Sequence, residues 1–516
     1  MTTLVRGARV LPLGDREVPR GAVDVLISAG EVTAVDEAGT LHEAEVVLDA
    51  DGRWLGPALW DGHVHLTQWG LTTVRLDLAP ARSVEDALGI LADHLAAQAH
   101  SGMPRGSHRA DGTERVVTGW GHRSVTWPRQ PTVAELDRVA QGRPVVLISG
   151  DGHHGWLSSR ALELLGQPPR DGIVDEAEWF ALFARLGELP GATDDAEEGV
   201  RRVATAAAAM GIVGVVDLEF EGTLTDWPAR VAAGVDQLRV RAGYYPEALD
   251  AALALGRWSG MPLDPERDPE GLVTLGPLKL ISDGSLNTRT AYCCEPYADA
   301  AELDFPRGKQ NYSPDEMREL LSRATQSGLE CAVHAIGDAA VSDALDAFEA
   351  TGARGSIEHA QLMRWDDVPR LARLGLRASV QPAHLLDDRD VTMQCWPDRA
   401  DRCFPFRRML DVGVRLVLGS DAPVSPLDPW LAMAAAVHRS ADGREAWHGE
   451  QALTPQQAYA ASTDGQGSVA VGSRGDLVLL DDDPFAAGSP AWQADRLRRM
   501  SVAATLLGGR VTHRAL

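Results

Sequence analysis

In the segment WDGHVHL, His63 and His65 are separated by a single residue. If that segment is a strand, its period of two sends both imidazoles to one face, where together they can grip a metal ion as the strand runs out. Imidazole suits Zn²⁺ and its neighbours in the first transition row. Alone, the pair also fits two surface or satisfied core histidines. Four more polar residues strengthen the metal reading: Lys279 in GPLKLISDGS, His334 in CAVHAIGD, His359 in GSIEHAQ and Asp421 in LVLGSDAPV. Each falls at or just beyond the C-terminal end of an expected strand. If the six hold metal together, a metal-dependent hydrolase is expected, with a metal-activated hydroxide attacking an acyl carbon and Asp421 as general base. Other uses stay open: His334 could cap the next helix, His359 could orient another ligand, and Asp421 could be a helix N-cap. Lys279, flanked by Leu278 and Leu280, has to hide its ammonium group or pair with Asp283.

The elements that must position these residues follow from the order of the chain. Short β-rich runs alternate with longer helical ones, the pattern of parallel α/β architecture. Eight strands are expected, at Ala58 to His63, Ile212 to Asp217, Leu238 to Gly243, Gly276 to Ile281, Glu330 to His334, Gly355 to His359, Leu376 to Gln381 and Val414 to Ser420. Eight strands close a (β/α)8 TIM-like barrel, whose catalytic face lies at the C-terminal strand ends. Helices are expected at 84–99, 197–210, 314–328 and 342–349. The first 50 residues and the last 45 read as short strands with turns, including Gly508-Gly509, and neither end alone buries a good core. They are expected to join as a discontinuous β-sandwich domain (1–57 and 470–516) beside a barrel at 58–469. A large insertion, about 75–205, is too long for one connection and should carry its own small structure near the active-site mouth, with strands at Glu114 to Gly119 and Val145 to Ser149.

Composition narrows the partners. With 74 Asp and Glu against 49 Lys and Arg, the formal charge of −25 opposes nucleic acid. Neither a leader pattern nor a window of 18 apolar residues occurs, so a cytoplasmic protein with no membrane partner is expected. Five cysteines without a CxxC pair argue against a disulfide framework and a zinc knot. The expected partner is a small-molecule substrate, with room left for a homodimer.

The ordered motif set resembles the amidohydrolase superfamily, and in particular its YtcJ-like or type 3 branch, which includes N-substituted formamide deformylases. It comprises the HxH of WDGHVHL, GWGH at 119–122, DGHHGWLSS at 151–159, MGIVGVVD at 210–217, KLISDGSLNTRTA at 279–291, HAIGDAA at 334–340, IEHA at 357–360, GSDAPV at 419–424 and GSRGDLVLLDDDP near the end. The resemblance implies that His63 and His65 bind the more buried metal with Asp421, and that His334 and His359 bind the other. It implies an N6-carboxylated Lys279 as the bridge, with one or two Zn²⁺ or another divalent transition metal. It also implies amide, N-acyl or N-formyl amine substrates; ester and carbamate cleavage, an isomerase or lyase, and a non-catalytic metal-binding protein remain alternatives. In DGHHGWLSS, His154 and Ser158 stand where relatives often have a small residue and an asparagine.

Further roles fall on the insertion and on the loop after the fourth strand. His153 is expected to assist catalysis by donating to the oxyanion, and His122 to act with it at the substrate. Trp120 and Trp156 are expected as pocket walls, or as packing residues, and Asp283 and Arg289 as groups that position a polar end of the substrate.

Overall fold

Eight parallel strands form in the middle of the chain, within three residues of the expected limits: β1 (Leu59–Val64), β2 (Ile212–Asp217), β3 (Arg239–Tyr244), β4 (Val273–Ile281), β5 (Cys331–Ala335), β6 (Gly355–His359), β7 (Arg377–Val380) and β8 (Arg415–Leu418). The computed structural model describes residues 1–516 apart from 15, 43, 101–114, 125–126, 151–153 and 184. Each strand pairs with its sequence neighbour, in the order β8 to β1. β1 and β6 are buried along their whole length, as expected of parallel strands covered on both faces. The circle closes just past the ends of β8 and β1, where the Asp421 amide donates to the His63 carbonyl (2.7 Å) and the His65 amide to that of Ala422 (2.9 Å).

That closure requires close backbone approach. A Cβ placed on Gly419 would stand 2.7 Å from the His63 amide nitrogen, so only glycine fits. The helices between the strands carry ordinary start and stop signals. Ser313 and Glu316 form a capping box on Pro314–Gln326, and Asp338–Thr351 ends at Gly352 with a left-handed φ of 66°.

The two chain ends build the second domain, the β-sandwich expected from the sequence. Its mixed sheet holds Thr2–Val10, Val23–Ser28, Glu31–Glu37, Val46–Asp49, Trp54–Pro57, Leu477–Leu480, Val502–Leu507 and Arg510–Arg514. Trp54–Pro57 is the strand the sequence hides, because Gly56-Pro57 reads as a turn. It forms because one edge pairs with Arg9 and Val10 and the other lies antiparallel to Leu477–Leu480. Val5, Val25, Ile27, Leu55, Leu477 and Leu506 belong to the core that unites the ends.

Residues Thr67–Val203 form a compact unit of their own, separate from Met1–Leu66 with Ala204–Leu516. This unit has a five-stranded sheet, ordered Val174–Asp175, His154–Leu157, Val145–Ser149, Val117–His122, Leu76–Asp77. Two apolar clusters stabilise it, one around Leu91, Leu136, Leu147 and Trp156 and the other around Ile148, Leu162 and Trp179. Among the described residues no helix is long and apolar enough to cross a membrane. The described cysteines are all free.

Replacing Gly419 with alanine should cost about 1–3 kcal/mol, because the methyl meets backbone that cannot yield. The expected outcome is a lower melting temperature; an unchanged one would show that β8 can draw away from β1 freely.

Candidate metal centre

All six residues singled out by the sequence line one cavity of about 250 Å³ at the C-terminal end of the barrel. His63 is in β1, Lys279 in β4, His334 in β5 and His359 ends β6, while His65 and Asp421 stand just past β1 and β8. Asp421 Oδ1 lies 3.3 Å from His63 Nε2 and 3.4 Å from His65 Nε2, and Lys279 Nζ lies 3.4 Å from His63 Nε2. The ligand atoms of His63, His65 and Asp421 all fall within 4.8 Å of one another, and those of His359, His384 and Asp421 form a second such group. Asp421 belongs to both. His334 packs edge-on against His359, with ring centroids 4.6 Å apart.

These separations fit a metal. Two donors on one tetrahedral ion, each at roughly 2.0–2.1 Å, stand roughly 3.3 Å apart. The nitrogens around Asp421 have that spacing. The backbone is held unusually at the same places: His359, Ala360 and Asp421 have φ of 70°, 44° and 57°. Left-handed conformations cost a residue with a side chain some energy and persist where the surroundings impose them, often at functional sites.

Buried carboxylates fix the ligand rings. Glu358 Oε2 lies 2.8 Å from His63 Nδ1, while Glu358 Oε1 accepts from Ser356 Oγ at 2.5 Å. With Nδ1 so engaged, His63 presents Nε2 to Asp421 and Lys279, the arrangement that orients a metal-binding imidazole. Asp283 Oδ1 stands 3.0 Å from His334 Nδ1. Asp61 accepts from the backbone amides of His63 (3.0 Å) and Ser420 (2.9 Å), joining the two strands that carry ligands.

Burial governs the charges. It pushes the Asp61 carboxyl up to about 7 despite its amide donors, and takes the His63 imidazolium down to about 4, helped by the Lys279 charge. It also holds the Lys279 ammonium below the ordinary lysine range, against the pull of Glu358 and Asp421. Burial works to raise Glu358, but His63, Lys279 and Ser356 outweigh it and hold that carboxyl at about 2. His63 and His359 are thus pressed toward the neutral imidazole, while Glu358 and Asp421 are held as carboxylates, the protonation states a metal requires of its ligands.

Other expected site residues have different surroundings. Asp283 is fully buried and accepts from the amides of Tyr292, Ile336 and Gly337, so it serves His334 and the backbone instead of a substrate. Lys279 does not pair with it. Arg289 pairs with Asp299 at 3.1 Å and donates to the Asn287 carbonyl, and it is not among the described residues lining the cavity. Within the insertion unit, Trp156 is fully buried and its indole N–H donates to the Thr132 carbonyl at 3.0 Å, so packing takes its ring. Trp120 is half-buried under the Arg75 guanidinium, 5.5 Å from the ring. His122 Nε2 lies 3.1 Å from the Leu147 carbonyl, and its ring is 5.1 Å from that of His154. His153 lies outside the described residues. Ser158 caps the helix Ser159–Leu164 by accepting from Ala161, a structural use of that departure.

Sequence reasoning missed His384, Glu358 and Asp61. His384 follows directly on β7, in QPAHLL, so the rule that found the other ligands also marks it.

Comparison with known proteins agrees with this geometry. The family model described as "Amidohydrolase family" matches residues 46–513. The putative amidohydrolase YtcJ of Bacillus subtilis is 26% identical, over 93% of this chain and 92% of its own. The N-substituted formamide deformylase of Arthrobacter pascens is 25% identical, over 94% of each. The crystal structure of an uncharacterized metal-dependent hydrolase from Pyrococcus horikoshii superposes with a TM-score of 0.78 at 26% identity, covering 94% of this chain and 99% of its own.

If Glu358 orients His63, Glu358→Gln should weaken metal binding about 10- to 100-fold in competition with a chromophoric chelator, with circular dichroism unchanged. Undiminished affinity would remove Glu358 from that role.

Proposed function

The chain belongs to the amidohydrolase family, and from that premise we propose that it hydrolyses the carbon–nitrogen bond of N-acyl or N-formyl amines. The site and the family together make it a metal-dependent amidohydrolase acting on amide-type bonds. The observation that carries the finer reading is Asp421, one buried carboxylate shared by two groups of potential ligands. Similarity to a formamide deformylase over 94% of both chains supports N-formyl amines as the first substrates to try.

In this reading His63 and His65 would hold one Zn²⁺ with Asp421, His334 and His359 would hold a second, and carboxylated Lys279 would serve as a ligand to both. Burial presses Lys279 toward the neutral amine, the form able to react with CO₂. A divalent ion there supplies activation of water and polarisation of the scissile carbonyl. Asp421 accepts the proton of the attacking water and returns it to the departing nitrogen, so that carboxylic acid and free amine leave. Domain limits of 1–57 with 470–516, and of 58–469, complete the reading.

Three experiments test it. Hydrolysis of an N-formyl amine in ¹⁸O-water should place one heavy atom in each formate; unlabelled product, or rearrangement without water, would exclude hydrolysis. Asp421→Asn should lower kcat by about 100- to 10,000-fold. In parallel Lys279→Ala should reduce the metal bound per chain. Near-normal turnover in the first variant removes Asp421 as the base, and full metal content in the second removes the bridge.

A further inference from the structure

The cavity has two parts that the ligand set does not use. One is aromatic. Phe220 stacks on the His65 ring (centroids 4.8 Å, planes at 18°) and on Tyr245 (5.4 Å, 26°), yet remains 54% exposed. A phenylalanine left that open offers an apolar platform with a negative π face.

The other part is rich in acceptors. Asp387 and Asp388 follow His384 after β7, and both line the cavity. Buried Asp388 accepts from Gln361 Nε2 at 3.0 Å and from Asn287 Nδ2 at 3.3 Å. Asp387 is exposed, and its carboxylate has no partner among the described residues. The Gln361 contact fixes that amide with nitrogen toward Asp388, which leaves Gln361 Oε1 as a buried acceptor without a donor.

Buried acceptors without donors are costly, and a ligand that brings donors repairs them. The charges select which donor. No arginine, and no lysine except Lys279, is among the described residues that line the cavity. A substrate carboxylate or phosphate would meet Asp387 with no counter-charge, whereas an ammonium group would find a carboxylate, an amide oxygen and a π face. The acidic surface, at a formal −25, also favours the approach of a cation.

We propose that Asp387 and Gln361 form a subsite for an ammonium group, so that the favoured amides carry a second, protonated amine. This rests on the amide-hydrolase reading above. Three formamides of similar length test it: N-(4-aminobutyl)formamide, neutral N-pentylformamide and anionic 5-formamidopentanoate. The cationic compound should exceed the neutral one in kcat/KM by about tenfold, and the anionic one should be the poorest. In Asp387→Asn the ratio of cationic to neutral kcat/KM should fall toward one, through KM. Equal kcat/KM for the three, or an unchanged ratio in the variant, overturns the subsite. Calorimetric binding of butane-1,4-diamine to the metal-loaded protein supplies a readout free of turnover, and it should weaken in Asp387→Asn. Diamine binding without hydrolysis of any formamide keeps the subsite and overturns the amide reading. Absence of diamine binding, or equal binding by the variant, overturns the subsite alone.

Discussion

The seam between the first and last barrel strands is the constraint on which the rest depends. The hydrogen bonds that close the barrel there are made by the backbones of His63, His65, Asp421 and Ala422. Three of those four residues are also potential metal ligands. Closing the sheet and assembling one group of ligands are therefore a single event, secured by the Asp61 carboxylate across the seam and by the absence of a side chain at Gly419. Barrel geometry explains why the remaining ligands arrive with so little local help: each only has to end its strand at the same rim.

A second constraint is electrostatic. A lysine, three histidines and two carboxylates, all nearly inaccessible to water, share the region between β1, β4, β6 and β8. Isolated charges there would be prohibitive, so the groups settle into complementary states. Glu358 and Asp421 stay anionic because histidines face them, and His63 and Lys279 are pressed toward neutrality by burial. Such a site is incomplete as a hydrogen-bonded cluster. His65 and His359 leave Nδ1 without a partner, and the nitrogens around Asp421 stand at the spacing of ligands, not of donors.

Much of this was legible in the sequence, for reasons that differ by residue. Barrel strands such as Ile212–Asp217 and Cys331–Ala335 are apolar runs with a polar residue at or near their end, so strand and candidate site residue announce themselves together. The pairing of the chain ends was legible because neither could bury a core alone. Trp54–Pro57 was not, since its identity as a strand comes from its neighbours in space. Glu358 was hidden by the period of two: it shares a face with Ser356, and His359 should point away. Both reach the same region because the backbone turns left-handed at His359, which no local pattern specifies. Asp283 has a similar lesson, as a carboxylate in a motif loop two of whose amide partners lie more than fifty residues away. For the insertion, Trp156 reads equally as a pocket wall and as core, and only its burial decides.

The strand Trp54–Pro57 has a consequence for how the chain is made. It lies between Thr2–Val10, already synthesised, and Leu477–Leu480, which leaves the ribosome only after the barrel and the insertion. Until then the apolar faces of the first strands lack the partners that cover them, and loop closure over so long a stretch is slow. The strand runs directly into β1 and its histidines. Vectorial synthesis thus leaves the segment that leads into the metal centre waiting on a strand that emerges only after the barrel and the insertion.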